Sequence, residues 1–377
     1  MDTARKFKPT SILLWEKAAG HPEAQRILAL FPSTPIQIIK HQRKPPSPST
    51  SQAQAMLRGK RMLMIGQTSS FVGYFDGRPL SFQLRNELQN QAPSKVHCYP
   101  YYKLVPISNG CPYYCTYCYL AFVYRKFSPF IKININYDTM FKQIRKTLAS
   151  SSGKISFNMG EMLDSLALDH ITNLTTILVP FFSTFSRGFL MLLTKSSNVD
   201  NLLAIKPNSQ TVVSWSLNSQ SIIETCELGT ASLDERIKAA KLCQNHGYRI
   251  RFRIDPGILY PNWQTGYADL IRKALTATKP ENITLGMLRL LPGHFRLAKQ
   301  AYGSRTNMLQ LPVLAAAASD GKRRYLPKQR SEFYAFLIDT IRSFDKNVSI
   351  SLCRETPEIW DTFKTRCELK KCNCMIW

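Results

Sequence analysis

The sequence predicts an α/β fold: an open, partial (β/α)6 barrel preceded by an N-terminal extension. From about residue 100 onward, apolar strand-like runs alternate with segments of helical periodicity. Repeated strand-then-helix units imply a parallel sheet. About six such units occur, too few for a closed eight-stranded barrel. Period-two patterning is the second observation. Ser214, Ser216 and Asn218 share one strand face while Val213, Trp215 and Leu217 share the other, and Arg249, Arg251, Arg253 and Asp255 oppose Ile250, Phe252 and Ile254. An apolar face under helices and a polar face inside describe a barrel with a wet, functional interior.

The elements follow in order. Residues 1–41 form the extension, with one or two short helices interrupted at His21-Pro22 and a strand at "PIQIIKH" (35–41). Residues 42–57, beginning "QRKPPSPSTSQAQA", have almost nothing to bury and are expected to be a linker. A lead-in segment covers 58–100. The barrel spans 101–355, with strands at 102–108, 154–160, 188–195, 211–218, 248–255, 283–289 and 348–353. Helices are expected at 137–149, 164–182, 232–246 and 265–278; in the second, Leu166, Ile171, Leu174, Ile177, Leu178 and Phe181 fall near a 3.6-residue period. A cysteine-containing tail, 356–377, closes the chain. The strand ends lead into Glu161, Lys195, Ser216 with Asn218, Arg253 with Asp255, and Arg289. In such barrels chemistry sits at the carboxyl ends of strands.

The net charge is +25 over 377 residues, with ten cysteines. Residues 1–61 carry 11 Lys/Arg against 3 Asp/Glu. "GKRRYLPKQR" at 321–330 is a second basic cluster, so Lys322, Arg323 and Arg324 are candidate phosphate contacts outside the barrel. Arg251, Arg253 and Arg289 are candidates for phosphate or carboxylate inside it, unless paired with an acid such as Asp255. Distributed basic charge favours nucleic acid as partner. No signal peptide and no membrane-spanning apolar run are visible, so a cytoplasmic protein that does not engage membranes is expected. There thiols stay reduced, and the cysteines argue for metal or redox chemistry over disulfides.

"NGCPYYCTYCYL" (109–120) concentrates Cys111, Cys115 and Cys118 in one loop after the first barrel strand. A structural zinc site requires four closed ligands, for which His97 or Cys98 would have to supply the fourth. Thiolates are also the usual ligands of iron–sulfur clusters. Three of them leave one iron of a 4Fe-4S cluster open to a substrate.

The spacing, the position and the aromatic Tyr117 before the last cysteine resemble the radical S-adenosylmethionine superfamily. "LDSLALDHIT" (163–172), "LLTKSSNVDNLL" (192–203), "SWSLN" (214–218), "ELGTASLDERIKAAKLCQNHGY" (227–248) and "RIDPG" (253–257) resemble, more narrowly, the spore photoproduct lyases and the DNA-repair-photolyase-like group around them. The resemblance implies a TIM-like partial barrel of the radical SAM type. It also implies a 4Fe-4S cluster on Cys111, Cys115 and Cys118, and S-adenosyl-L-methionine bound to the open iron. One electron, from a donor such as flavodoxin or ferredoxin, cleaves that cofactor to a 5'-deoxyadenosyl radical. Gly160 and Glu161 match the element that holds the methionine amino group, Lys195, Ser216 and Asn218 are candidates near its carboxylate, and Tyr119 packs near the cofactor. Tyr117 and Tyr119 match the family's tyrosine pair beside the cluster and are the candidate catalytic side chains. By ungapped comparison, Glu161 stands where the lyases place a hydrogen-returning cysteine.

Cys353, Cys367, Cys372 and Cys374 have three competing uses: a second cluster or zinc site, a hydrogen donor or redox pair reaching into the barrel, or ordinary exposed thiols. Cys226 and Cys243 read as core residues. The expected function is a radical enzyme on nucleic acid, DNA ahead of RNA, that repairs a pyrimidine photolesion or modifies a base. The alternatives are a radical enzyme on a protein or small molecule, and a non-catalytic iron–sulfur nucleic-acid-binding protein.

Overall fold

The computed structural model describes residues 7–42, 51–75, 100–124, 129–309, 320–368 and 371–375. Two sheets share one core. The first half of the chain supplies β1 (Ser11–Trp15), β2 (Ile36–Ile39), β3 (Met62–Gly66), β4 (Val72–Phe75), β5 (Tyr101–Leu104), β6 (Ile107–Ser108), β7 (Tyr114–Cys115), β8 (Ile131–Asn134) and β9 (Ile155–Asn158). The second half supplies β10 (Gly188–Thr194), β11 (Thr211–Ser216), β12 (Glu227–Leu228), β13 (Arg249–Gly257), β14 (Asn282–Met287), β15 (Arg289–Leu290), β16 (Arg323–Arg324) and β17 (Ser349–Leu352).

The eight-stranded sheet runs β17-β14-β13-β11-β10-β9-β5-β4. All neighbours are parallel except β4 against β5. Its ends are not joined, so the expected open α/β barrel is present. Every residue of β10 and β11 is buried, as expected where helices cover one face of a parallel sheet and the interior fills the other. Helix Leu233–His246 shows local and global signals agreeing. Ser232 and Glu235 form a capping box at its start, and Gly247 ends it at φ +108, where a side chain would be strained.

Three expectations are corrected. The N-terminal extension is not a separate unit: β1 and β2 join a second sheet, β2-β1-β3-β8-β6, whose other strands come from the lead-in and from the barrel range. Short strands such as "SILLW" and "IQII" need further strands beside them to be stable, and Ile12, Leu14, Ile65 and Ile131 merge with Ile155 and Leu166 in one core. The strand expected at 102–108 breaks at Val105-Pro106 into β5 and β6, which belong to different sheets; Pro106 has no amide hydrogen to continue a ladder. The helix expected at 164–182 starts only at Asp169, because the Asp164 carboxylate accepts from the amides of Leu166 (3.1 Å) and Ala167 (2.9 Å) and holds a loop there. Of the expected linker, residues 43–50 lie outside the described residues, as do His97 and Cys98, while Gln52–Gly59 is a helix. Ser51 caps it, and Ala53, Ala55 and Met56 bury its inner face.

The polar inner face is present, but part of the interior is not wet. Residues Cys372–Met375 of the tail fill it. Arg251 donates to the carbonyls of Cys372 (3.0 Å) and Met375 (2.6 Å), Ser214 to the Asn373 side-chain oxygen (2.8 Å), and the Asn373 amide to Thr284 Oγ1 (2.9 Å). Ser214 is fully buried. No helix among the described residues is long and apolar enough to cross a membrane.

Candidate active site

At the carboxyl ends of the strands lies a cavity of about 260 Å³. Cys111, Cys115, Cys118, Tyr117, Tyr119, Gly160, Glu161, Lys195, Ser216, Arg253, Arg289 and Lys322 all line it. The structure thus brings together all but one of the residues expected to serve the cluster and cofactor. Asn218 is the exception. It lies fully buried behind the wall, donating to Pro256 O at 2.8 Å and accepting from the Tyr267 hydroxyl at 2.8 Å.

The cysteine loop is fastened from two sides. Its short strand β7 pairs with β12, Cys115 opposite Glu227, and the Thr116 amide donates to Cys226 O at 2.8 Å. From below, the buried Lys60 ammonium donates to the carbonyls of Cys111 and Tyr113. Gly160 is required by space: a Cβ there would lie 2.3 Å from the Leu193 Cβ, so only glycine lets the loop after β9 approach β10.

Opposite the cysteines is a charged wall. Arg253 bridges Glu161 (2.6 Å) and Asp255 (2.7 Å), and Arg289 also holds Asp255 (2.7 Å). Burial pushes the Glu161 carboxyl up, but Arg253 and Arg354 outweigh it and hold the group near 2, so it is ionised at neutral pH. Lys195 donates to Ser216 Oγ and lies 3.3 Å from Glu227. Lys322 sits over the Tyr119 ring at 4.6 Å. Burial, with Arg354 and Arg289 nearby, lowers its ammonium to about 7.

The family profile for spore photoproduct lyase matches residues 80–310, more than half of the sequence. The chain belongs to the spore photoproduct lyase family. The spore photoproduct lyase of Clostridium acetobutylicum is 28% identical over 266 residues, covering 70% of this chain and 73% of that one. That of Bacillus subtilis is 25% identical over 323 residues, covering 85% and 87%. A solved spore photoproduct lyase complexed with dinucleoside spore photoproduct has the same fold, with a TM-score of 0.75 at 21% identity over 92% of this chain and 98% of that one.

In this spore photoproduct lyase family member, several site residues are ones the sequence did not single out, although two of them stand within the motifs that carry the resemblance. Glu227 is one, fully buried, accepting from the Tyr117 hydroxyl and paired with Arg236 at 2.6 Å. Tyr117 therefore has its phenol committed to a carboxylate. Asp164 is another, accepting from Thr194 Oγ1 and the Lys195 amide, both at 2.7 Å, and so locking the loop after β9 to the end of β10. Their roles rest on partners distant in sequence, Tyr117 and Lys195 for Glu227 and Thr194 and Lys195 for Asp164. Lys60 was hidden among other basic residues of the first 61.

The basic cluster is corrected. Lys322 faces the cavity, and Arg324 is buried against Asp320 at 2.7 Å, so that of Lys322, Arg323 and Arg324 it is Arg323 that is exposed. The pairing of β16 with β15 turns alternate side chains inward. The four late cysteines do not gather. Cys367 packs in the main core, Cys353 lies against Arg253 (3.3 Å), and Cys372 and Cys374 lie near Phe75 and Tyr101. No group of three or more His, Cys, Asp or Glu suited to a single metal ion occurs among the described residues. Cys353, Cys367 and the Cys372–Cys374 pair thus lie in separate surroundings, which does not favour the expected second site.

Lys60→Met is expected to cost about 2–3 kcal/mol, since it leaves two buried carbonyls without a charged donor. It should also reduce iron loading on the loop above. Chemical denaturation and iron content measure the two effects, and an unchanged iron content would show that the loop holds itself.

Proposed function

We propose that the protein is a radical S-adenosylmethionine enzyme that repairs a pyrimidine photolesion in DNA. One observation carries this reading: three cysteines open onto the cavity that also holds Glu161, Lys195, Ser216 and Lys322. The relatives named spore photoproduct lyase support it, as does a variant of such a lyase solved with bound AdoMet and dinucleoside spore photoproduct. The +25 charge is the electrostatics of a nucleic-acid partner.

The donor set fits a 4Fe-4S cluster on Cys111, Cys115 and Cys118, with one iron left for S-adenosylmethionine. The buried Lys60 ammonium is suited to balance part of the cluster's negative charge. When bound, the pair supplies a 5'-deoxyadenosyl radical that abstracts hydrogen from substrate. The chain's own residues bind and orient. The Glu161 carboxylate suits an ammonium group, and Lys195, steadied by Ser216 and Glu227, suits a carboxylate. Lys322, charged below about pH 7, lines the same cavity and suits a substrate phosphate. A low-potential protein such as flavodoxin or ferredoxin would supply the electron.

The test is anaerobic reconstitution with iron and sulfide, then measurement of 5'-deoxyadenosine with and without ultraviolet-irradiated DNA or dinucleoside spore photoproduct. Cleavage stimulated by the lesion, with loss of the lesion, is expected. Cleavage indifferent to it would reject the photolesion as substrate, and no cluster at all would reject the radical chemistry.

A further inference from the structure

Repair that begins by removing a hydrogen atom leaves a carbon radical, and a repaired product needs a hydrogen atom returned. Among side-chain groups, a thiol gives one up most readily, because its S–H bond is weaker than the O–H bonds of alcohols and most C–H bonds. At Glu161 the chain itself offers no thiol.

The tail brings one there. Cys374 Sγ lies 3.8 Å from Glu161 Oε1 and accepts from the Asn158 side-chain amide at 3.3 Å. Asn158 ends β9, and Glu161 lines the cavity, so the Cys374 sulfur stands directly behind that carboxylate, one side chain from the space the cysteine loop faces, and donates once the carboxylate swings aside. The placement is built, since five inner-face residues on five strands hold this one turn of tail: Asn158, Met191, Ser214, Arg251 and Thr284. A second thiol, Cys372, packs against the same small cluster as Cys374. Cys372 is half-buried where Cys374 is 7% exposed, so the pair runs from the interior toward solvent. The neighbouring Cys372 thiol, then burial and the Glu161 charge, push the Cys374 thiol up, so it keeps its proton at neutral pH. A hydrogen-atom donor must be in that form.

We propose that Cys374, carried into the barrel by the C-terminal tail, is the hydrogen-atom donor that quenches the substrate radical beside Glu161. The inference rests on the radical reading above. In the step, the Cys374 S–H bond breaks, a C–H bond forms on the substrate, and a thiyl radical remains on Cys374. One electron from the low-potential protein donor and one proton from solvent, passed through Cys372, restore the thiol.

The test uses the reconstituted protein with dinucleoside spore photoproduct in D2O, where exchangeable thiols carry deuterium. The wild type is expected to place solvent deuterium in the repaired product. Cys374→Ala should still form 5'-deoxyadenosine but give at least about tenfold less repaired product, without that label. Cys374→Ser, which preserves the packing, should behave likewise, and Cys367→Ala, in the core away from the cavity, should match the wild type. Wild-type yield and label in Cys374→Ala would overturn the proposal. If the wild type cleaves S-adenosylmethionine but leaves the lesion intact, the substrate reading fails instead. The donor is then tested on the 5'-deoxyadenosine formed without substrate in D2O: deuterium lost in Cys374→Ala supports it, and deuterium retained overturns it.

Discussion

Replacing Cys111, Cys115 and Cys118 together by alanine is expected to abolish reductive cleavage of S-adenosylmethionine while leaving a folded chain. The three thiols converge on the cavity, and no other cysteine among the described residues lines it. Removing them strips the cluster of its protein ligands. The fold should survive, because the loop is held by β7 against β12 and by Lys60 donating to backbone carbonyls, none of which uses a sulfur. The lost sulfur burial costs on the order of 1 kcal/mol per site. Circular dichroism and iron content would accompany the 5'-deoxyadenosine assay. A triple variant that still cleaves the cofactor would end the radical assignment.

The largest effect on stability is expected at Glu227. Its side chain is fully buried with Arg236, and Lys195 and the Tyr117 hydroxyl complete its shell. Burial pushes the carboxyl up, yet Arg236 and Lys195 hold it down to about 2 from its ordinary 4.5. A lowered carboxylate contributes stability that is present above the ordinary value and lost as pH falls through the folded one, here between about 4.5 and 2. The linkage amounts to about 3 kcal/mol. Glu227→Gln leaves a buried guanidinium without its carboxylate and should cost about 3–5 kcal/mol at pH 7. Because the wild type loses its advantage in acid, the gap to the variant should narrow by pH 3. Urea unfolding at the two pH values measures it, and a constant gap would mean that the pair is not ionic. The variant should also load less iron, since Tyr117 loses its carboxylate acceptor and the loop loses a support.

Much of this site was legible because its parts are local. Cys111, Cys115 and Cys118 lie within one loop, and Lys195 and Ser216 stand at the ends of strands whose alternation marks the inward face. Gly160 was legible as part of a motif, but its reason, the approach of Leu193, is steric and non-local. Asn218 was misplaced because period two continues in the sequence past Ser216, whereas β11 ends there and the next residues turn away. Lys322 and Arg324 were assigned to the outer surface because a run of basic residues looks solvated until a second strand pairs with it.

The sequence by itself determined the α/β class, the order of strands and helices in the barrel, the cysteine loop and the strand ends that face the cavity. These depend on periodicity and spacing, which are properties of neighbouring residues. Tertiary structure alone decided that Lys60 from the N-terminal segment supports the cysteine loop, that Glu227 gathers Tyr117, Lys195 and Arg236, and that Cys372–Met375 enters the barrel and sets Cys374 beside Glu161. Each joins residues far apart in the chain through buried polar groups. Burial makes an unmatched donor or charge costly, so folding selects these pairings, but the partner of each group is defined only once the chain has closed around it.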